Sequence, residues 1–312
     1  MSIISVKDLV KTYNKGRTKA LDSLSFEVEK GEIFGLIGPD GAGKTTIFRI
    51  LTTLLLADSG TASIDGMDVV KDYKKIRRHI GYMPGQFSLY QDMTVEENLS
   101  FFATVFKTTI EENYHLVKDI YEQIKPFKDR RSGKLSGGMK QKLALSCALI
   151  HAPLVLFLDE PTTGVDPVSR KEFWEMLQKL KTEFNLTIVV STPYMDEAVQ
   201  CDRIALIQNG RFLTIDSPDG IIDKYSETLL AVKSDQMHRL LTDLRETPGV
   251  HTAFGFGETH HVTVNPDILT TDSLQSEEES GGERAQRGRG DGDPPDDRRL
   301  LHEPSKLMTD GK

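Results

Sequence analysis

Lys44 and Thr45 close an uninterrupted Gly-x-x-x-x-Gly-Lys-Thr run, GPDGAGKTT at residues 38–46. Glycines at this spacing let successive backbone N–H groups turn inward as an anion nest. The lysine supplies a point charge for β- and γ-phosphates, and the hydroxyl beside it is a hard ligand for Mg²⁺. A nucleoside triphosphate would therefore be held by Gly38, Pro39, Asp40, Gly41, Ala42, Gly43, Lys44, Thr45 and Thr46. A second reactive pair ends LVLFLDEP, residues 154–161. Asp159 is placed to hold Mg²⁺. Glu160 points elsewhere, because neighbouring strand residues alternate faces, and is placed to accept a proton from an attacking water. Alone, each stretch is also a plain glycine-rich turn or an acidic strand end. Together they point to phosphoryl transfer to water.

Such groups need a rigid frame. The loop must follow a buried strand and open a helix. Residues 33–37 are a short apolar run of the kind found in buried parallel strands, and residues 45–56 carry a helical pattern. The same alternation recurs at 154–158 and 168–184. It predicts an α/β fold with a mostly parallel sheet covered by helices. Residues 95–150 read as a largely helical subdomain. From residue 218 to about 270 the texture becomes that of a small α+β appendage: a helix after residue 218, a strand at 228–232, a helix at 236–245 and strands within 250–264. From residue 273 the chain contains no Val, Ile, Phe, Tyr or Trp. Residues 271–312 are expected to be a disordered tail. The switch is abrupt enough to raise an altered reading frame as its origin.

The chain has 312 residues and a net charge of −8, which argues against a nucleic-acid partner. Its two cysteines, Cys147 and Cys201, lie far apart, which argues against a disulfide framework or a zinc site. No apolar run approaches the roughly 18 residues of a membrane span. The N-terminal MSIISVKDLV lacks the pattern of a signal peptide. The expected place of the chain is inside the cell.

A second glycine-rich turn, KLSGGMKQ at 134–141, precedes a helix over 139–150. With the two stretches above, it makes the sequence resemble the ATP-binding cassette family over 1–217. LSGGMKQ is similar to that family's signature motif. The resemblance implies a P-loop cassette with an antiparallel β lobe and a helical subdomain. It also implies a head-to-tail pair of cassettes, the second being the same chain or a paralogue. Ser136, Gly137 and Gly138 of one cassette would then close on the nucleotide held by the other. It further implies ATP and Mg²⁺ as cofactors, Tyr13 as the ring stacked on adenine, and Asp166 in the loop that reaches across the dimer. DEPTTGVDPVSRKEFW and YMDEAVQCDRIALIQNGR look most like the cassettes of exporters whose transmembrane subunit is a separate chain. Such a subunit sits peripherally on the cytoplasmic side of the membrane and meets its partner through the helical subdomain and the 87–93 loop.

Two departures stand out. The family pattern G-Y-x-P-Q ends in a glutamine that contacts Mg²⁺ and water; GYMPGQFSLY has Gly85 there and Gln86 one residue later. The family pattern S-T-H-Y-M-D-E-A carries a histidine for the γ-phosphate; TIVVSTPYMDEA has Pro193, which can neither donate nor accept a proton. The leading expectation is an ATP-hydrolysing exporter subunit with Glu160, Lys44 and Gln86 as catalytic residues, and slow turnover. The alternatives are a degenerate cassette that dimerises on ATP and hardly hydrolyses it, and a soluble cassette ATPase outside transport.

Overall fold

The computed structural model describes residues 2–86, 88–224, 228–232, 237–256, 259–264 and 301–302. They divide into two compact units, Met1–Ile222 and Asp223–Lys312. The first unit opens with long antiparallel strands β1 (Ser2–Tyr13) and β2 (Thr18–Glu29), followed by β3 (Ile33–Ile37) and α1 (Lys44–Leu51). Next come β4 (Ser59–Ile64), β5 (Met67–Asp68), α2 (Tyr73–His79) and β6 (Ile80–Met83). The helical part is α3 (Val95–Phe106), α4 (Tyr114–Ile124) and α5 (Gly137–Leu149). The unit continues with β7 (Val155–Asp159), α6 (Pro167–Phe184), β8 (Thr187–Thr192), β9 (Arg203–Gln208), β10 (Arg211–Asp216) and α7 (Pro218–Lys224), whose last residues fall in the second unit.

Two sheets result. Strands β2-β1-β4-β5 form an antiparallel lobe. Strands β10-β9-β3-β8-β7-β6 form the main sheet, parallel throughout except for the edge strand β10. Every residue of β3, β7 and β8 is buried, as strands covered on both faces must be. Their side chains feed two cores by strict alternation. Ile33, Ile37, Leu156, Leu158, Ile188 and Val190 join the core under α3 to α6. Phe34, Leu36, Val155, Phe157 and Val189 join the one shared with the β lobe and α1. Phe157 meets Phe48 of α1 edge to face at 5.7 Å; truncating such a ring to alanine costs about 3–5 kcal/mol. The same alternation sends Asp159 to the side of α1, where Thr45 waits.

The helical part is pinned by local chemistry. In α4 the buried residues Val117, Ile120, Tyr121 and Ile124 recur at three and four. Thr94 and Glu97 close a capping box at the start of α3. Buried Asn98 donates to the carbonyls of Tyr90, Met93 and Thr94 and accepts from Tyr90 N–H, so it ties the preceding loop to α3.

The second unit holds β11 (Thr228–Val232), α8 (Met237–Glu246), β12 (Val250–Phe256) and β13 (Thr259–Val264), with β14 (Leu301–His302) in sheet order β12-β13-β11-β14. Leu240 and Leu244 of α8 share a small core with Ala253 and Val262. This is the α+β character expected after residue 218. The expected tail over 271–312 lies outside the described residues, save for the two residues of β14.

Candidate active site

The phosphate loop joins β3 to α1, as the motif requires. Gly43 is the N-cap of α1 at φ 113°, and a Cβ there would stand 2.6 Å from the Ala20 carbonyl oxygen. Only glycine takes that conformation in that space. Pro39, Asp40 and Gly41 are exposed at the lip, while Ala42 is buried. Lys44 is 3% exposed. Its ammonium donates to the carbonyls of Gly38 at 2.7 Å and Pro39 at 3.0 Å, and lies 3.2 Å from Glu160 Oε1. One cation is thus shared between the anion nest and the carboxylate at the end of β7.

Thr45 Oγ1 donates to Asp159 Oδ1 at 3.2 Å. Two hard oxygens at the mouth of the loop fit Mg²⁺, which takes one or two carboxylates and completes its shell with phosphates and water. Among the described residues no group of three or more His, Cys, Asp or Glu could hold an ion by itself. Tyr82 stands close to Asp159, and its phenol is pushed up to about 12 by burial and then by that charge.

Glu160 departs from the strand at φ 49°, in the left-handed region. A non-glycine residue held there costs on the order of 1–3 kcal/mol and must be restrained. The restraint is Ser191 of β8. Glu160 N–H points at both Ser191 Oγ and the Ser191 carbonyl, each at 3.1 Å, and Ser191 Oγ–H donates to Asp159 Oδ1 at 2.7 Å. No sequence motif marks Ser191. The available signal was the adjacent polar pair Ser191 and Thr192 closing β8 after the apolar run Ile188–Val190.

Tyr13 Oη is 3.4 Å from Thr46 Oγ1, and the ring is partly exposed at the rim of the loop. Gly38 N–H donates to the Thr192 carbonyl at 3.3 Å, which places Pro193 immediately beside the loop. A Cβ on Gly85 would lie 3.1 Å from the Asp159 carbonyl oxygen and 3.9 Å from Glu160 Cβ. Position 85 therefore abuts the Asp159 backbone and the base of the Glu160 side chain, and both Gly85 and Gln86 are exposed.

The signature turn is built separately. Ser136 caps α5 by accepting from Met139 N–H at 3.4 Å. A Cβ on Gly138 would strike Ser169 Oγ at 2.7 Å, so glycine lets the start of α5 approach α6. Asp166 caps α6 by accepting from Ser169 N–H at 2.9 Å, and that bond holds its carboxyl below the usual carboxylate range. Among the described residues, no hydrogen bond or ion pair joins 136–138 to 38–46. One chain thus brings together Lys44, Thr45, Asp159, Glu160, Tyr13 and Thr46, and leaves the second glycine turn outside that cluster.

A P-loop between β3 and α1, an acidic pair ending β7, a β lobe and a helical part define a P-loop domain of the cassette class. The chain belongs to the ABC transporter family. The ABC transporter family model matches residues 21–163. The chain is 42% identical over 222 residues to the probable multidrug ABC transporter ATP-binding protein YbhF of Escherichia coli, covering 70% of this chain and 38% of that protein. It is 34% identical over 269 residues to the doxorubicin resistance ATP-binding protein DrrA of Mycobacterium tuberculosis, covering 85% and 79%. Among solved structures, the dimeric bacterial ABC transporter cassette MJ0796 superposes with a TM-score of 0.62 at 28% identity, covering 69% of this chain and 98% of that one.

Proposed function

We propose that this chain binds and hydrolyses ATP with Mg²⁺ and so powers a membrane exporter whose transmembrane subunit is a separate chain. The observation that carries the reading is the shared cation Lys44, 3.2 Å from Glu160, at a loop whose Thr45 meets Asp159. Lys44 takes the β- and γ-phosphates. Mg²⁺, held by Thr45 and Asp159, neutralises charge on the phosphates when bound. Glu160, fixed by Ser191, orients the attacking water and receives its proton at a carboxylate oxygen. Tyr13 offers its ring to the adenine.

The site is completed by a second cassette, which is the same chain or a paralogue. The signature turn is capped, glycine-lined and apart from the phosphate loop of its own chain, which suits it to a nucleotide held opposite. The dimeric state of the MJ0796 cassette supports this arrangement. The partner in the membrane docks a short segment into a groove of about 400 Å³ between the main sheet and the helical part. Its walls include Leu54, Met83, Leu89, Phe102, Val105 and Phe106. Leu54 and Val105 are both more than half exposed, and Pro84 links the groove to the loop that carries Gly85. No helix among the described residues is long and apolar enough to cross a membrane. The names of the YbhF and DrrA relatives support export, and the chain would then lie peripherally on the cytoplasmic face. Mg²⁺-dependent phosphate release, together with co-purification with a multi-span membrane protein, tests this reading. Absence of both sinks it.

Gly85 and Pro193 favour a second reading, in which the cassette dimerises on ATP and hydrolyses it slowly. Removing one preorganised donor costs on the order of 10²–10³ in rate. Pro193 supplies no donor beside the loop, and its ring fixes φ near −65°. Pro193→His is expected to raise turnover several-fold or more without tightening ATP binding, as read by phosphate release and by titration with ATP. An unchanged rate would mean that another group already fills the role.

A further inference from the structure

Glu197 lies four residues beyond Pro193 and is 3% exposed. Its Oε1 accepts from Thr162 Oγ1 at 2.6 Å, Arg170 Nη2 at 2.8 Å and Arg170 Nε at 3.1 Å. Its Oε2 is buried without a hydrogen-bond partner. A carboxylate so deeply buried is tolerated only beside a cation, and Arg170 is that cation. Arg170 also reaches Asp196 at 3.2 Å and lies over the Tyr194 ring at 4.5 Å.

These side chains come from three segments that the hydrolytic site uses. Thr162 belongs to the turn opened by Glu160, whose carbonyl accepts from Thr163 N–H at 3.2 Å. Arg170 sits in the first turn of α6, its N–H bonded to the Asp166 carbonyl at 2.9 Å. Tyr194, Asp196 and Glu197 follow Pro193. We propose that Thr162, Arg170 and Glu197 are positioning residues for hydrolysis: they lock the turn that carries Glu160 to the segment that carries Pro193. The inference rests on the reading of Glu160 as the base. Ser191 restrains Glu160 from the side of β8, and the Glu197 cluster restrains the same turn from the side of α6. With no donor at position 193, alignment of the water depends on how firmly Glu160 is held. A misplacement of about 1 Å can cost on the order of 10²-fold in rate.

The test uses the full chain with Mg²⁺ and ATP, and reads kcat, KM and the ATP dissociation constant. Thr162→Val keeps the shape and deletes the donor to Glu197. It is expected to lower kcat about tenfold or more while KM and ATP affinity stay within about twofold. Thr162→Ser keeps the hydroxyl and is expected to recover most of the rate. Arg170→Lys, which loses the planar fork, is expected to follow Thr162→Val. Should Arg170→Lys fail to fold, the two Thr162 variants still decide the matter. Wild-type turnover in Thr162→Val overturns the proposal. So does a parallel loss of kcat and ATP affinity that serine does not rescue, the mark of a merely structural role. A wild-type chain that releases no phosphate from ATP overturns the Glu160 reading and this inference with it.

Discussion

Glu160→Gln is expected to lower steady-state ATP turnover by roughly 10²–10⁴-fold while leaving ATP binding within about twofold. Glutamine is nearly isosteric. Its backbone N–H still meets Ser191 Oγ and the Ser191 carbonyl, so the strained φ of 49° remains restrained. Its amide oxygen can still accept from Lys44, which also keeps its bonds to Gly38 and Pro39. What disappears is a group able to take a proton from water. The variant should therefore accumulate with ATP bound, and size-exclusion chromatography should show a nucleotide-dependent dimer. Phosphate release at the wild-type rate would remove Glu160 from the mechanism.

Lys44→Ala acts one step earlier. Lys44 is 3% exposed, and its donors face the loop and Glu160. A hydrogen bond to a charged group contributes about 1.5–3 kcal/mol, so losing it should weaken ATP binding by roughly 10- to 150-fold. The Gly38 and Pro39 carbonyls would lose their donor, and Glu160 its counter-ion. Isothermal titration with ATP, beside a thermal melt to show that the fold persists, checks this. Binding at wild-type strength would show that the loop does not hold the phosphates.

Much of this site was legible because its signals are local. A glycine pattern after an apolar strand and before a helix occupies one continuous stretch, and β7 ends in its two carboxylates within the same few residues. The period of α4 and the strand at 228–232 are local too. Element ends were harder. The apolar pattern carries a helix to residue 56, yet α1 stops at Leu51. Thr52 Oγ1 bonds back to the Phe48 carbonyl, and Thr53 turns into the left-handed region at φ 63°, so no glycine announces the stop. The compact units divide after Ile222, within α7. Least legible were contacts between distant segments. Ser191 reaches Asp159 across 32 residues, and Glu197 reaches Thr162 across 35. In sequence these are an ordinary serine at a strand end and an ordinary acid before a turn. Only the adjacency of β7 and β8, and of α6 and the segment after β8, turns them into restraints on Glu160.

Those restraints matter only if the chain turns over ATP, and one measurement addresses that directly. Purified wild-type protein is mixed with ATP, with and without Mg²⁺, and inorganic phosphate is followed in parallel with the Glu160→Gln variant. The account predicts Mg²⁺-dependent release from the wild type and its near abolition in the variant. Wild-type protein that binds ATP yet releases no more phosphate than Glu160→Gln would contradict it, and would leave an ATP-gated binding module in place of an ATPase.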